Sequence, residues 1–182
     1  TAWIAEVGFD FENEVFSVRP TLFYRRIDDF IQGVPVDATV GVIDSPVEMI
    51  AAMNGDTTPL RFGNVDAELY GADLDFTVRP VEHFEISGTA SYVRGKRRDI
   101  DDDLYRVAPA NLRLSAAYLG DRFSFGAELI AAADQNQVSL ANDEEASDGY
   151  AVVGLFSRYA ISDGLAIEAG VENLFDVQYQ PH

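Results

Sequence analysis

Apolar residues recur at every second position through most of this chain, and that period of two most constrains its fold. In residues 83–95, HFEISGTASYVRG, side chains at Phe84, Ile86, Ala90 and Tyr92 alternate with polar ones. The segments ANLRLSAAY, RFSFGAEL and GLAIEAGVEN repeat the alternation. Successive side chains of a β-strand point to opposite faces, whereas a helix repeats every 3.6 residues. The sequence therefore predicts an all-β protein whose strands each have one apolar face.

We predict eight strands, and the connections between them alternate in length. The predicted strands cover residues 2–12, 15–30, 62–79, 84–97, 107–119, 122–133, 150–161 and 165–174. Short turns alternate with long polar connections at residues 32–61, 96–105 and 134–149. In an antiparallel up-and-down meander, this gathers the short turns at one end of the sheet and the long loops at the other. Outer-membrane β-barrels have that layout.

The alternation alone leaves two architectures open. The apolar face meets lipid in a transmembrane β-barrel, and it is buried between two sheets in a soluble β-sandwich. Long strands favour the barrel, since a tilted membrane strand needs about nine to eleven residues. Tyr24, Tyr92, Tyr118 and Tyr159 also favour it, because they fall late in their strands, as an aromatic girdle requires. We expect about eight strands of a larger transmembrane β-barrel, with the sandwich as the alternative.

One predicted strand changes phase. In residues 62–79 the apolar positions are odd up to Leu69 and even from Ala72 onward. The change falls at Tyr70–Gly71, and a glycine at such a point predicts a β-bulge. A misread register is the alternative explanation.

Composition argues against several classes of function. The 31 acidic and 13 basic residues give a formal net charge of −18, so nucleic acid is not an expected partner. There is no cysteine, which removes thiolate ligands and cysteine nucleophiles. The two histidines, His83 and His182, lie in a predicted turn and at the last position. We therefore expect no histidine-based triad, no multi-histidine metal site, no enzymatic activity and no cofactor.

Other motifs have a functional and a structural interpretation. The acidic runs at residues 99–103 and 142–145 contain oxygen ligands suited to Ca²⁺, but solvated loop charges are the simpler interpretation. Met49 and Met53 are thioethers that could hold copper, or simple packing residues. The basic run at residues 94–98 could contact lipopolysaccharide or an anionic ligand, or could balance the acidic run beside it.

Four segments resemble elements of TonB-dependent outer-membrane receptors. They are LFYRRIDDFIQG, RFGNVDAELYGADLDF, YRVAPANLRLSAAY and VENLFDVQY. The last, residues 171–179, is similar to the penultimate-strand signature of the family and is the most specific. The family barrel has about 22 strands around a plugged lumen. The resemblance implies that residues 1–182 are a C-terminal segment of such a barrel, without its plug domain and final strand, and that residues 171–175 pair with that missing strand.

The resemblance also implies a function. The parent protein would import a scarce nutrient, such as a ferric siderophore, another metal complex or a vitamin, across the bacterial outer membrane. Its implied partners are outer-membrane lipid, the nutrient ligand, and a plug domain and TonB through other parts of the parent chain. A soluble binding or adhesion module is the alternative function.

Ligand contacts are expected from two places. Charged residues of the predicted lumen parity are candidates on the barrel wall, namely Asp73, Asp75, Arg113, Glu128 and Arg158. Salt bridges across the wall are the alternative role for these residues. Because large loops over a barrel mouth commonly contact ligands, residues 32–61 are the expected place of substrate recognition.

Overall fold

The chain folds into one antiparallel sheet. The computed structural model describes residues 1–36, 46–55 and 59–182. The strands are Ala2–Gly8 (β1), Phe11–Glu12 (β2), Phe16–Pro35 (β3), Leu60–Val81 (β4), Phe84–Arg97 (β5), Asn111–Leu119 (β6), Phe123–Ala132 (β7), Tyr150–Ser162 (β8) and Leu165–Val171 (β9). A helix (α1) covers Pro46–Met53, and a 3₁₀ turn covers Leu140–Asn142.

The strand order follows the sequence, as expected for an up-and-down meander. Neighbours run β1-β3-β4-β5-β6-β7-β8-β9, and β2 continues the path of β1 beside β3. The sheet therefore has eight positions, which confirms the predicted all-β antiparallel fold of about eight strands. Within the described ranges, no helix is long and apolar enough to cross a membrane.

Proline explains two differences between the predicted and observed strands. The first predicted strand is divided into β1 and β2 opposite Pro20, although its register against β3 is continuous. Phe9 N–H donates to the Pro20 carbonyl oxygen at 3.3 Å, but proline has no N–H to return the bond. The strand predicted from residue 107 begins only at Asn111, just after Pro109. A proline in a strand removes a ladder donor, so the pairing starts beyond it.

The strand predicted over residues 165–174 is too long at its C-terminal end. β9 ends at Val171, and Asn173 and Asp176 adopt left-handed φ values of 49° and 53°. These residue types enter that region more readily than most others. The Asn173 side chain accepts a hydrogen bond from Val177 N at 2.8 Å and donates one to Val177 O at 3.0 Å. The segment is therefore a turn stabilised by an asparagine side chain.

The β-bulge predicted at Tyr70–Gly71 is also wrong. β4 keeps its register through both residues against β3 on one side and β5 on the other. The irregularity of the β3–β4 pair lies instead between Ile27 and Phe30, where Asp29 has a φ of 63°. The change of phase therefore needs a different explanation.

The two faces of the sheet differ in composition. The strand register places one set of largely apolar side chains on the same side, here called the apolar face, with members Leu22, Leu74, Ile86, Leu114 and Leu155. The opposite side, here called the polar face, carries Arg19, Asp75, Thr89, Arg113 and Glu128.

The phase changes because a loop covers the polar face at one end of the sheet. Toward the long loops, Val65, Ala67 and Leu104 are almost fully buried, with exposed fractions of 4%, 0% and 1%. The apolar side chains packed around them are Phe30, Val34, Leu69 and Val107. Because this part of the polar face is covered, β4 places its apolar residues Val65, Ala67 and Leu69 on that side. From Ala72 toward the short turns, the apolar residues of β4 lie on the apolar face.

The apolar face itself is open. Leu22, Phe125 and Ile167 are 56%, 49% and 59% exposed. In the part of the chain that the structure describes, no second sheet covers this face. A β-sandwich would bury it between sheets, so the sandwich alternative is contradicted.

Aromatic side chains lie at both ends of the apolar face. Tyr24 directly faces Tyr70 at the end near the long loops, and Trp3 packs against Tyr24 edge to face at 5.7 Å. At the end with the short turns, Tyr118 and Phe123 both pack against Phe125. The four tyrosines expected in a girdle thus belong to two rows, Tyr24 and Tyr92 in one and Tyr118 and Tyr159 in the other. The eight residue-to-residue steps from Phe84 to Tyr92 span about 27 Å along β5.

Candidate functional site: a charged wall and a loop assembly

The five candidate ligand-binding residues all lie on the polar face. Asp73 and Asp75 are on β4, Arg113 is on β6, Glu128 is on β7 and Arg158 is on β8. Their strands are in a register that puts them on the same side, as their shared parity predicted. They do not form a single cluster.

Arg113 and Glu128 form a bidentate ion pair. Arg113 Nε lies 2.7 Å from Glu128 Oε1, and Arg113 Nη2 lies 3.0 Å from Oε2. Glu128 is directly opposite Ser115, so the pair runs diagonally between β6 and β7. The two side chains are 62% and 31% exposed. Such an exposed pair contributes little to stability, but it fixes the direction of both charged groups.

A shallow depression of about 520 Å³ connects this pair with β3 and β4. Arg19 lines it directly opposite Asp75, and Arg19 also contacts Asp10 at 3.0 Å and Glu12 at 3.4 Å. The remaining polar lining is made of hydroxyl groups, from Ser17, Thr77, Ser87, Thr89 and Ser115. Sequence reasoning did not single out these hydroxyls, although the small polar residues between the apolar positions were their signal.

Asp73 and Arg158 lie outside the depression. Asp73 accepts a hydrogen bond from Ser91 Oγ at 2.6 Å. Arg158 pairs with Glu168 at 3.2 Å across β8 and β9. The structure therefore brings together Asp75, Arg113 and Glu128 and leaves the other two candidates apart.

Replacing Arg113 with glutamine tests whether the Arg113–Glu128 pair serves stability or transport. Because the pair with Glu128 is largely exposed, the free energy of unfolding should change little. If the wall guides a ligand, uptake by the full-length receptor should nevertheless fall several-fold. Chemical denaturation and uptake are the two measurements, and R122Q, at an exposed short turn, is the control. A large loss of stability with unchanged uptake per folded receptor would make the pair purely structural.

A second feature is a set of cross-linked loops at the opposite end from the short turns. The connection from β5 to β6 and the connection from β7 to β8 form it, and we call it the loop assembly. The Asp102 carboxylate accepts hydrogen bonds from Leu140 N at 2.8 Å, Ala141 N at 3.2 Å and Ser139 Oγ at 2.8 Å. Ser139 is fully buried. The carboxylate thus satisfies the free amide groups at the start of the 3₁₀ turn.

Further side chains tie the loop assembly to β3. Asn142 Nδ2 donates to Gly33 O at 2.7 Å, and Tyr105 N donates to Gln32 Oε1 at 3.4 Å. Glu144 accepts from Ser139 N at 2.7 Å. Asp102 and Glu144 therefore have structural roles, and the interpretation of the two acidic runs as solvated charges is wrong for them.

The basic run at residues 94–98 is largely balanced by carboxylates. Arg94 pairs with Asp103 at 3.2 Å, and Arg97 pairs with Asp99. Hydrogen bonds from Arg97 hold the pKa of Asp99 below its ordinary value. Since the folded-state pKa is lowered, this contribution to stability is present above the unfolded-state pKa and is lost as the pH falls through the folded value.

The two histidines lie on different segments of the chain, and both methionines lie on α1. No group of three or more histidine, aspartate or glutamate side chains in the described residues could hold a metal ion. His83 Nδ1 lies 3.0 Å from Leu119 O, and His182 Nε2 lies 3.2 Å from Glu144 Oε1. Met49 and Met53 are 53% and 81% exposed on α1.

The fold and the sequence together define the class of protein. Residues 1–174 match the family described as TonB dependent receptor-like, beta-barrel. The chain therefore belongs to the TonB-dependent receptor β-barrel family. The apolar face corresponds to the outward apolar band of such a barrel, and the polar face corresponds to its lumen wall.

Particular relatives include transporters. The vitamin B12 transporter BtuB of Vibrio vulnificus (strain YJ016) is 26% identical over 126 residues, which cover 69% of this chain and 19% of the relative. The copper transporter OprC matches 100% of this chain and 26% of its own, with 20% identity and a TM-score of 0.84. A variant of the ferric enterobactin receptor of Pseudomonas aeruginosa, in complex with enterobactin, matches 97% of this chain and 26% of its own, with 20% identity and a TM-score of 0.71.

An iron transporter has the same fold. FrpB of Neisseria meningitidis matches 100% of this chain and 28% of its own, with 16% identity and a TM-score of 0.70. At these identities the solved structures establish the shared fold. The chain spans about a fifth of the length of the curated relative and about a quarter of the length of the solved structures.

Proposed function

We propose that this chain is a C-terminal section of the barrel of an outer-membrane receptor that imports a scarce nutrient. A plug domain and a closing strand from other parts of the parent protein would complete it, and TonB would act through those parts. The observation that carries the proposal is the open apolar face, which is bounded by two aromatic rows. A lipid-facing band about 25 Å tall, with aromatic girdles at both edges, is typical of outer-membrane barrels.

The change of phase at Tyr70–Gly71 supports the same placement. Below this point, toward the short turns, the apolar residues of β4 would meet lipid. Above it, the strands would rise out of the membrane, where water replaces lipid. There the apolar residues Val65, Ala67 and Leu104 are buried under a loop, as in a soluble protein. The loop assembly would therefore lie outside the cell, above the barrel.

A metal complex or a vitamin is the nutrient class that the relatives favour. They are named for vitamin B12, copper, iron and ferric enterobactin. We assign first contact with the ligand to the loops. Residues 32–61 stay the expected recognition segment, although residues 37–45 and 56–58 lie outside the described part of the chain. Asp75, Arg113 and Glu128 would line the path below the loops, with Asp73 and Arg158 farther along the wall. We infer binding and transport rather than catalysis.

Membrane fractionation of the full-length protein in its native host tests this proposal. Recovery in the outer membrane, with a gel band that shifts on heating, is the expected result, and loss of uptake of a ferric complex or vitamin should follow deletion of the gene. Recovery of a soluble protein whose band does not shift would contradict the membrane placement. Outer-membrane recovery with uptake of these nutrients unchanged would contradict only the nutrient class.

A further inference from the structure

A small cleft of about 370 Å³ lies beside β3 and β4 at the end near the long loops. Four apolar side chains, two from each strand, form much of its lining: Phe30, Ile31, Leu60 and Phe62. Tyr105 of the loop assembly also lines the cleft, and a Cβ added at Gly33 would lie 3.6 Å from Tyr105 Cε1. The cleft is therefore largely apolar and is bounded on one side by the loop assembly.

Gln32 places an unsatisfied donor in the wall of this cleft. The residue is only 6% exposed, and its Oε1 accepts a hydrogen bond from Tyr105 N at 3.4 Å. Its Nε2 has no acceptor among the described residues. A buried donor without a partner is costly, and nearly all such groups in folded proteins have one. An acceptor atom brought into the cleft by a ligand would remove this cost.

The charged side chains that line the cleft are arginines. They are Arg61 of β4 and Arg106 of the loop assembly, and no carboxylate of the described residues lines it. Neither guanidinium forms a salt bridge within the described part of the chain. The Arg106 guanidinium lies 5.1 Å from the centre of the Tyr105 ring. The cleft therefore combines an apolar wall, an amide donor and positive charge on a chain whose net charge is −18.

Carboxylates line a second cleft of about 710 Å³, which Arg106 also borders. None of them lines the first cleft, and they are Asp143, Glu144, Glu145 and Asp148. Glu144 already accepts hydrogen bonds from Arg106 N at 2.8 Å and Ser139 N at 2.7 Å. The two adjacent clefts thus differ in charge, and the smaller one is the one suited to an anion.

We propose that the smaller cleft binds an aromatic carboxylate. The carboxylate oxygens accept hydrogen bonds from Gln32 Nε2 and from the Arg106 guanidinium, whose planar set of donors matches a carboxylate. The aromatic ring of the ligand packs against the apolar wall. A largely apolar pocket with a few polar groups that fix orientation is typical of small-molecule sites, and so is this volume. The inference names a ligand class for the proposed receptor and rests on that function, which places the long loops outside the cell.

A charged and an uncharged probe of similar shape test the proposal. Full-length receptor in lipid nanodiscs is titrated with naphthoate and, separately, with naphthamide, and calorimetry gives both affinities, with empty nanodiscs as the blank. R106Q removes an exposed guanidinium but keeps the backbone N–H that binds Glu144. Q32E keeps an acceptor for Tyr105 N and replaces the unpaired donor with a carboxylate oxygen. R122Q, at an exposed short turn, is the control.

We expect the wild type and R122Q to bind naphthoate about tenfold or more tightly than naphthamide, because only naphthoate pairs with the guanidinium. In R106Q this preference should fall below about threefold. Q32E should bind naphthoate at least about tenfold more weakly than the wild type, since two carboxylates would then meet.

Equal affinity of the wild type for the two probes would overturn the proposal. So would an R106Q receptor that keeps the full preference, or one that weakens for both probes by the same factor, as a purely structural role predicts. A heat-shifted band shows that each variant is folded, and the exposed R106Q decides the test if the buried Q32E does not assemble. Outer-membrane recovery is measured separately. A preference for naphthoate in a receptor absent from the outer membrane would contradict the proposed function and not the cleft.

Discussion

Replacing Gly71 with alanine should lower the free energy of unfolding by about 3 kcal/mol, or prevent assembly of the barrel altogether. Gly71 directly faces Phe23 across β3 and β4. A Cβ at this position would lie 2.7 Å from Phe23 Cζ and would also clash with the backbone carbonyl oxygen of Tyr92. The phenyl ring can rotate aside at some cost, but the carbonyl belongs to the neighbouring strand and can move only if β4 and β5 separate.

A second glycine on the polar face supplies the control. Gly170 lies in β9, where an added Cβ would meet only the Leu155 carbonyl oxygen, at 3.3 Å. G170A should therefore change the free energy of unfolding by no more than about 1 kcal/mol. Urea unfolding of the full-length receptor in liposomes, followed by the heat-dependent gel shift, measures both variants. Similar losses for G71A and G170A would contradict the close approach described for Gly71.

Replacing Asp102 with alanine should release the loop assembly without unfolding the barrel. The change removes the acceptor used by Leu140 N, Ala141 N and Ser139 Oγ. Ser139 Oγ still has Asn142 Oδ1 as an acceptor at 3.0 Å, so the loss falls on the two amide groups. Hydrogen bonds to a charged group contribute about 1.5–3 kcal/mol each. Hydrogen exchange of the amides of residues 140 and 141 should accelerate about a hundredfold, which corresponds to about 3 kcal/mol of local opening.

The neighbouring Asp101 gives a matched control. It is exposed, and no side-chain hydrogen bond involves it among the described residues. D101A should leave exchange at residues 140 and 141 within about threefold of the wild type, a difference of less than about 1 kcal/mol. The exchange rate of D102N, which keeps one acceptor oxygen, should fall between those of D101A and D102A.

If the loop assembly pre-organises the ligand site, D102A should also weaken ligand binding, since the loops must then be ordered on binding. Unchanged exchange in D102A would contradict the role given to this carboxylate.

The positions of the strands could be predicted from the sequence because they depend on the local alternation of apolar and polar residues. Residues 84–97 were predicted with the observed bounds, and the shared face of Arg113 and Glu128 followed from parity alone. Those two features need only the rule that adjacent side chains point in opposite directions. The ligand role of the wall stays a prediction.

The errors came from contacts between distant segments or from side chains that replace backbone pairing. The phase change at Tyr70 looked like a local bulge, but its cause is Leu104, which buries Val65 and Ala67 from another connection. The loop assembly was missed because Asp102 meets residues 37 to 39 positions away, and Asn142 meets Gly33 across 109 positions. β9 ends at Val171 because the Asn173 side chain forms a turn through hydrogen bonds with the backbone of Val177.

A spin-label scan along β4 of the full-length receptor in liposomes tests the central claim that the apolar face meets lipid only as far as Tyr70. Residues 1–182 contain no cysteine, so a cysteine placed on β4 carries the only label in this part of the receptor once any cysteine elsewhere in the parent chain has been replaced. At Leu74 and Phe76 the label should be accessible to oxygen dissolved in the lipid, and at Asp73 and Asp75 to a water-soluble nickel complex. Beyond the boundary, labels at the outward positions Asp66 and Glu68 should become accessible to nickel. Labels at Leu74 and Phe76 that neither reagent reaches would contradict the account, because they would place the apolar face inside a protein core.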